Sequence, residues 1–145
     1  MTLHILKLCV GCDSVDDLVG WQAERAAERR AAGEDPQPVH VTRMWPKREA
    51  EIVAGGSLYW VIKGLVLVRQ RILGLERQQG GDGIARCVIR LDPEAIRTLP
   101  QPRRAFQGWR YLRPEDAPRD LGVAAAQAAE MPPQLVAGLA EMGVL

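Results

Sequence analysis

A chain of 145 residues with a formal net charge of +1 is long enough to bury a core and short enough to be one domain. Its hydrophobic content of 47% is ordinary for a globular protein, and no run approaches the ~20 apolar residues of a membrane helix. The N-terminus lacks the basic segment and cleavage site of a secretory signal, and three cysteines without a repeating framework fit a reducing compartment. We therefore expect a cytoplasmic protein that does not associate with a membrane.

The small net charge conceals an uneven distribution along the chain. Residues 43–113 contain fourteen Lys and Arg against six Asp and Glu, a net of +8, whereas the two flanks together have a net of −7. A basic middle between acidic ends can maintain a local positive potential in a nearly neutral protein.

The first third of the chain predicts a strand, a helix, a second strand and a short helix. Residues 4–10 are apolar enough for an interior strand. Ser14 can cap the helix that follows, Asp17 occupies the capping-box position, and Gly33 is a natural stop. Residues 39–44 predict the second strand, and Pro46 fits the first turn of a short helix that extends to about residue 53.

Residues 55–91 predict three consecutive strands with tight connections. The apolar run at 58–63 predicts a buried strand, and residues 65–75 and 84–91 alternate between apolar and polar positions. The cluster at 80–83, Gly-Gly-Asp-Gly, supplies the positive φ angles that a hairpin turn needs. We expect an antiparallel meander with one apolar face and one face rich in arginine.

The last third predicts a brief helix at 93–99, capped by Asp92, and an extended stretch forced by two prolines. Residues 106–112 predict the last strand, in which Gly108 marks a bulge or a close approach. An alanine-rich helix at 121–130 and a final helix to about residue 142 would follow.

Together these elements predict an α+β fold. We expect a mixed, mostly antiparallel sheet of five or six strands, curled as a partial barrel with flanking helices. Residues 1–120 would form the barrel-like domain, and residues 121–145 a helical extension packed on it.

The cations of the meander have two interpretations. They can line the solvated face of a half-exposed sheet, or they can form part of an anion-binding floor. The residues concerned are Lys63, Arg69, Arg71, Arg86 and Arg90.

Cys9 and Cys12 form a C-x-x-C pair where a strand passes into a helix, a position in which such pairs can be redox-active. Three nearby aspartates oppose thiolate formation, and a zinc site would need two more ligands. We therefore expect small apolar cysteines with a structural role, no bound metal and no cofactor.

Two segments combine cations with aromatic residues, as single-strand nucleic-acid surfaces do. One is at 43–48, where Trp45 could stack a base or could instead attach the short helix to the core. The other is at 103–111, although tryptophan and tyrosine must also build a core with so little phenylalanine. The candidate binding residues are Arg43, Trp45, Lys47, Arg48, Tyr59, Lys63, Arg69, Arg71, Arg103, Arg104, Trp109 and Arg110.

Enzyme motifs are missing from the sequence. It contains no G-x-S-x-G nucleophile elbow and no phosphate-binding G-x-x-x-x-G-K-[ST] loop. The carboxylates of Glu49, Glu51, Asp82 and Asp92 could serve an enzyme only if the fold brought two of them together. The sequence favours a protein that is not an enzyme.

The chain resembles an uncharacterised bacterial family, domain of unknown function 1489, in five stretches. These are LKLCVGCDSV, TRMWPKR, GGSLYWVIKG, RQRILGL and PRRAFQGWRYLRPEDAP. They extend from the N-terminus to about residue 121, and the family implies no established activity. The order of strands and the aromatic strand after Gly55-Gly56 are also similar to the PUA-like barrels, including the ASCH and EVE branches. That resemblance implies a cleft for RNA or a modified base, near Trp45, Lys47, Arg48, Tyr59, Trp60 and Lys63.

We therefore expect a non-enzymatic module that binds RNA or a nucleotide in a basic and aromatic cleft. An alternative is a protein-interaction or oligomerisation module, in which residues 121–145 contact a partner or form a homodimer. A small enzyme that acts on a nucleotide is a further alternative.

Overall fold

Seven strands and two α-helices make up the part of the chain that the computed structural model describes, residues 2–121. The predicted helices at 121–130 and beyond, and the helical extension they would form, lie outside these residues apart from residue 121. The elements are β1 (His4–Leu8), α1 (Val15–Ala31), β2 (Val39–Thr42), α2 (Glu49–Val53), β3 (Ser57–Ile62), β4 (Leu65–Gln79), β5 (Ala85–Leu91), β6 (Ile96–Pro102) and β7 (Trp109–Leu112), with a 3-10 turn at Pro114–Asp116.

The strands form one mixed sheet in the order β2-β5-β4-β3-β1-β7, and β6 pairs with β4 off this path. The β1–β3 pair is parallel and the other five pairs are antiparallel. The prediction of an α+β fold with a mixed, mostly antiparallel sheet is confirmed. The described sheet has seven strands rather than the expected five or six, and its hydrogen bonding does not close it.

The longest strand, β4, changes its partner halfway along. Its first half, from Leu65, pairs with β3 on one side and β6 on the other, and its second half pairs with β5. A register shift between Ile72 and Gly74 accompanies the pairing with β5. A bulge of this kind bends a strand and increases its twist, so that the two halves of β4 can pair with different strands.

Helix α1 has the ends that the sequence predicts. The Ser14 hydroxyl accepts a hydrogen bond from the Asp17 amide at 3.2 Å, and Gly33 adopts a φ of +73° just after the helix. The Asp17 carboxylate reaches back to the Asp13 amide at 2.9 Å, one residue before the expected capping-box partner. Within residues 2–121, neither α-helix has the length and apolar character needed to span a bilayer.

The helix predicted at 93–99 is wrong. Asp92 accepts a hydrogen bond from the Glu94 amide, but only a local turn results. Residues 96–102 form β6 against β4, and Thr98 is 2% exposed. Burial of Thr98 and backbone pairing with β4 override the helix-start signal of Asp92-Pro93. Pro100 and Pro102 are part of this strand, consistent with the expected extended stretch.

Alternate residues of the strands build two apolar clusters, one on each face of the sheet. The larger cluster lies under α1 and α2 and includes Ile5, Leu58, Trp60, Ile72 and Trp109. The smaller cluster is formed by Leu6, Tyr59, Val61, Val66 and Leu112, with Phe106 and Ala117 packed against it. The predicted apolar face of the meander is therefore confirmed, but the opposite face is partly buried as well.

A buried amide connects α1 to the sheet. Gln70 on β4 is completely buried; its Oε1 accepts the Trp60 indole N–H at 2.9 Å, and its amide exchanges two hydrogen bonds with Gln22 of α1. Gln70 Nε2 also donates to the Asp92 carbonyl at 3.1 Å. Every polar atom of this side chain has a partner, which removes the penalty for burying it.

His40 on β2 lies beside Trp60, with the ring centroids 5.6 Å apart in an edge-to-face arrangement. Its Nε2 is buried and has no hydrogen-bond partner within the described residues. Burial, together with the nearby charge of Lys7, lowers the pKa of His40 from 6.5 to about 4. The imidazole is therefore neutral at pH 7.

Gly56 is a position where any side chain should be costly. A Cβ atom there would overlap the carbonyl oxygens of Leu3 and Ile52, whereas a Cβ at Gly74 would meet nothing within 4 Å. We expect Gly56→Ala to lower the free energy of unfolding by about 3 kcal/mol, because rigid backbone must move. Gly74→Ala should change it by less than about 1 kcal/mol. Urea denaturation measures both; equal effects would contradict the close approach at Gly56.

His40 should make stability depend on pH. Because its pKa is lower in the folded protein than in the unfolded chain, its contribution is complete above pH 6.5 and is lost as the pH falls towards 4. We expect a loss of about 2 kcal/mol between pH 7 and pH 5 from this group. His40→Gln should flatten that part of the profile, and His4→Gln should keep most of it. Urea denaturation at each pH provides the measurement, and an unchanged profile in His40→Gln would contradict this account.

Candidate nucleic-acid interface

The fold joins the two basic and aromatic segments of the sequence, which are about 60 residues apart. The indole N–H of Trp109 on β7 donates to the Met44 carbonyl, just after β2, at 2.9 Å. Gly108 has a φ of +69°, and a Cβ there would lie 2.8 Å from the Met44 sulfur, so the predicted close approach is confirmed. The Arg48 amide donates to the Tyr111 hydroxyl at 3.3 Å. These contacts connect the strands at the two ends of the sheet.

The surface at this connection presents cations and apolar side chains together. Met44 is 49% exposed and Tyr111 is 38% exposed, and three cations of the same segment are exposed beside them. We name this region the junction surface; it consists of Arg43, Met44, Trp45, Lys47, Arg48, Arg77 and Tyr111. Exposed cations beside an exposed aromatic ring can hold phosphate and stack a base.

Helix α2 determines the position of Arg48. The Arg48 guanidinium forms an ion pair with Glu51 one turn later, with an Nη2–Oε1 distance of 2.8 Å, and its carbon lies 5.9 Å from the centre of the Tyr111 ring. The hydrogen bond from Arg48 holds the pKa of the Glu51 carboxyl below its usual range. Arg48 is therefore a partly neutralised cation with a fixed direction, whereas Arg43 and Lys47 have no ion pair within the described residues.

The three aromatic rings near this surface differ in access. Trp45 is half-buried against the larger cluster. The guanidinium carbon of Arg77 lies over its indole, 5.4 Å from the centre of the ring. Trp109 is 7% exposed and uses its N–H internally, so the expected stacking of a base on Trp109 does not fit its position. The ring of Tyr111, which was not among the predicted binding residues, lies with its centre 4.9 Å from that of Trp109. Of these two rings, Tyr111 is the accessible one.

Three other predicted binding residues make their contacts away from the junction surface. Tyr59 is 5% exposed within the smaller cluster, and burial raises the pKa of its phenol. Arg69 forms a bidentate pair with Asp120, both N–O distances being 2.7 Å. Lys63, in the turn between β3 and β4, lies 3.4 Å from Asp13. The structure therefore separates these three from the junction surface.

The remaining predicted cations are spread over two places. Arg71 is exposed and lines a cleft of about 440 Å³ with Arg69, Asp92 and Glu94. Three others lie after β6: Arg103, which donates to Gln101 at 2.9 Å; Arg104, which is exposed; and Arg110 on β7, whose guanidinium lies 5.0 Å from the centre of the Phe106 ring.

The anion-binding floor proposed for the meander is largely neutralised. Four of its five cations have a carboxylate within ion-pair distance: Lys63 with Asp13, Arg69 with Asp120, Arg86 with Asp82, and Arg90 with Asp35 and Glu76. The distances for the three arginines are 2.7 to 2.8 Å. Of these five cations, Arg71 alone has no ion pair among residues 2–121. The interpretation of these arginines as a solvated, internally paired face fits better.

Lys7 is a further polar residue that the sequence analysis missed. It lies on β1 level with Trp60 of β3 and Trp109 of β7, and its Nζ donates to the Leu8 carbonyl at 3.1 Å. Burial lowers the pKa of Lys7. A single lysine in an apolar strand gives no signal in the sequence, because its neighbours on adjacent strands come from distant segments.

The cysteines do not behave as expected. Cys9 and Cys12 are joined by a disulfide, with their Cα atoms 5.7 Å apart, whereas the sequence analysis treated them as separate apolar residues. Cys87 is free and buried, and burial raises the pKa of its thiol to about 11. No group of three or more metal-ligating side chains occurs in the part of the chain that the structure describes.

The candidate carboxylates lie in three places: Glu49 and Glu51 on α2, Asp82 in the β4–β5 turn, and Asp92 after β5. Glu51 is paired with Arg48 on α2, Asp82 with Arg86 at the β4–β5 turn, and Asp92 with the Glu94 amide after β5. Glu51, Asp82 and Asp92 are therefore each held by a local partner.

Comparison with known proteins identifies the family. The family model described as "Protein of unknown function (DUF1489)" matches residues 5–145, which is nearly the whole chain. No curated protein and no solved structure gives a match. The stretches that suggested this family in the sequence include both parts of the junction surface, TRMWPKR and PRRAFQGWRYLRPEDAP. The chain belongs to the DUF1489 family.

Proposed function

We propose that this protein is a non-enzymatic module that binds single-stranded nucleic acid, RNA in the first instance, at the junction surface. The observation that carries the proposal is the joining of residues 43–48 to residues 108–111 through Trp109, Met44 and Gly108. Two segments that are separately weak signals together form one exposed basic and aromatic patch.

The charges support phosphate as one part of the ligand. Arg43 and Lys47 are exposed and have no ion pair within the described residues, unlike most cations of the meander. When cations that are not already neutralised bind phosphates, the counterions condensed on the nucleic acid are released. This release drives binding at low salt.

The aromatic and apolar side chains support a base as the other part. Tyr111 is held at one edge by Trp109 and receives the Arg48 amide at its hydroxyl, so its ring direction is fixed. A fixed and partly exposed ring loses little entropy when a base stacks on it. The exposed Met44 side chain next to Gly108 extends the apolar part of the patch.

We also propose the finer architecture that this function would use. The Trp109–Met44 contact brings the ends of the seven-stranded sheet together by side chain and backbone, which would curl it into a partial barrel of the PUA-like kind. In that arrangement the junction surface occupies the seam of the barrel. A cytoplasmic location would give access to RNA.

An interaction module is the second candidate, and the exposure of α1 favours it. Val19 is 44% and Trp21 is 37% exposed, and a groove of about 510 Å³ runs beside this helix to Pro36 and Pro93. Under this alternative a partner protein or a second copy covers α1, and the junction surface binds no nucleic acid.

Removal of two cations from the junction surface should weaken binding. We expect Arg43→Ala with Lys47→Ala to reduce affinity for a short single-stranded RNA about tenfold near 0.1 M salt. The plot of log K against log salt should become less steep, by roughly 1 to 2. Fluorescence anisotropy across a salt series measures both quantities.

The matched control removes the same charge elsewhere. Arg25→Ala with Arg30→Ala takes two exposed cations from α1 and should change affinity less than about twofold. Equal weakening by both double variants would mean diffuse attraction rather than a site. No binding by the unaltered protein at low salt would overturn the proposal and favour the interaction module.

The Tyr111 ring should contribute separately from the charges. Tyr111→Ala should cost about 1 to 3 kcal/mol of binding to RNA, because base–aromatic stacking is worth that much, with little change in the salt slope. Tyr111→Phe keeps the ring and loses only the hydroxyl that accepts from the Arg48 amide, so it should retain most of the affinity. Equal losses in the two variants would argue against stacking; thermal denaturation checks that both remain folded.

A further inference from the structure

The disulfide between Cys9 and Cys12 contributes little as a structural cross-link. It closes a loop of four residues, between the end of β1 and the start of α1. The stabilisation that a disulfide gives by restricting the unfolded chain is smallest for short loops. The turn is also held by backbone bonds, since the Cys9 amide donates to the Val61 carbonyl at 2.9 Å and the Cys12 amide to the Cys9 carbonyl at 3.4 Å.

Access to the two sulfur-bearing residues is unequal. Cys12 is 5% exposed and packs in the larger cluster, whereas Cys9 is partly exposed and Val10 beside it is 79% exposed. Gly11 is also exposed and has a φ of +83°. An incoming thiol can therefore approach the turn from the side of Cys9, with Cys12 protected behind it.

From this geometry we propose that Cys9 and Cys12 form a thiol–disulfide exchange site for a low-molecular-weight thiol such as glutathione. The inference is independent of nucleic-acid binding. In the first step an external thiolate attacks the Cys9 sulfur, a mixed disulfide forms, and the Cys12 thiolate leaves. In the second step another external thiolate attacks the external sulfur and releases the Cys9 thiolate.

The reaction balances with two external thiols. They supply two electrons and become one external disulfide, while the Cys9–Cys12 bond is reduced to two thiols that take up the two protons. In reverse, an oxidised external disulfide re-forms the Cys9–Cys12 bond. The N-terminus of α1, which begins three residues after Cys12, favours a departing thiolate, and the carboxylates of Asp16 and Asp17 in its first turn oppose it.

Cys87 provides an internal contrast. It is 1% exposed on β5, and burial raises the pKa of its thiol to about 11, so it is a poor nucleophile at neutral pH. Exchange should therefore be confined to the pair. Cys87→Ser removes the third thiol and simplifies the measurement.

The deciding experiment traps the intermediate. The Cys12→Ser and Cys9→Ser variants, both with Cys87→Ser, are incubated folded with oxidised glutathione, quenched with acid and examined by intact mass. We expect Cys12→Ser to accumulate a glutathione adduct on Cys9 at least tenfold faster than Cys9→Ser does on Cys12. Equal rates would overturn the proposed direction of attack, and no adduct on either would overturn the exchange site.

A second measurement uses the intact pair. The Cys87→Ser protein is equilibrated in mixtures of reduced and oxidised glutathione, alkylated and weighed, and we expect one reversible two-electron transition. Trp21 reports the same change by fluorescence, because its indole lies against the turn, 3.3 Å from where a Cβ at Gly11 would be. A pair that stays oxidised at every ratio, or that never forms the bond, would overturn the proposal.

Discussion

The amide of Gln70 is the interaction on which the arrangement of the core depends. It is fully buried at the centre of β4, and it joins Trp60 of β3, Gln22 of α1 and the Asp92 carbonyl after β5. A buried amide must satisfy both its donors and its acceptor, and only one position of α1 over the sheet does this. Since α1 buries few apolar residues of its own, the amide network contributes much of its positional specificity.

Local pairing of charges decides which cations remain for a ligand. Most of the cations on the meander meet a carboxylate from the segments just before and just after α1, from the neighbouring turn or from residues near 120. The acidic flanks of the sequence thus neutralise part of its basic middle in the fold. The junction surface keeps Arg43 and Lys47 outside this pairing, so it retains positive charge that the paired arginines of the meander have lost.

Local signals were sufficient to predict the elements with clear ends. Ser14 and Gly33 delimit α1, and the Gly-rich turn at 80–83 separates β4 from β5, because caps and turns depend on a few adjacent residues. The parallel β1–β3 pair and strand β6 depend on tertiary contacts that no local pattern encodes. Of the candidate site, the sequence identified both segments but not their meeting at Met44, so it selected the buried Trp109 and overlooked Tyr111.

The two prolines of β6 affect how the protein meets other chains. The Arg103 amide faces β4, where it donates to the Gly64 carbonyl, so position 102 faces away from β4, and position 100 lies at the irregularity of pairing between Arg97 and Gln101. Both carry proline, which has no N–H to offer a further strand. Just before the two prolines, the outer side of β6 is already occupied. The Leu99 amide donates to the Arg119 carbonyl, and the Leu121 amide donates to the Arg97 carbonyl. This margin of the sheet is thereby protected against strand-by-strand polymerisation into fibrils, a hazard for any exposed strand edge.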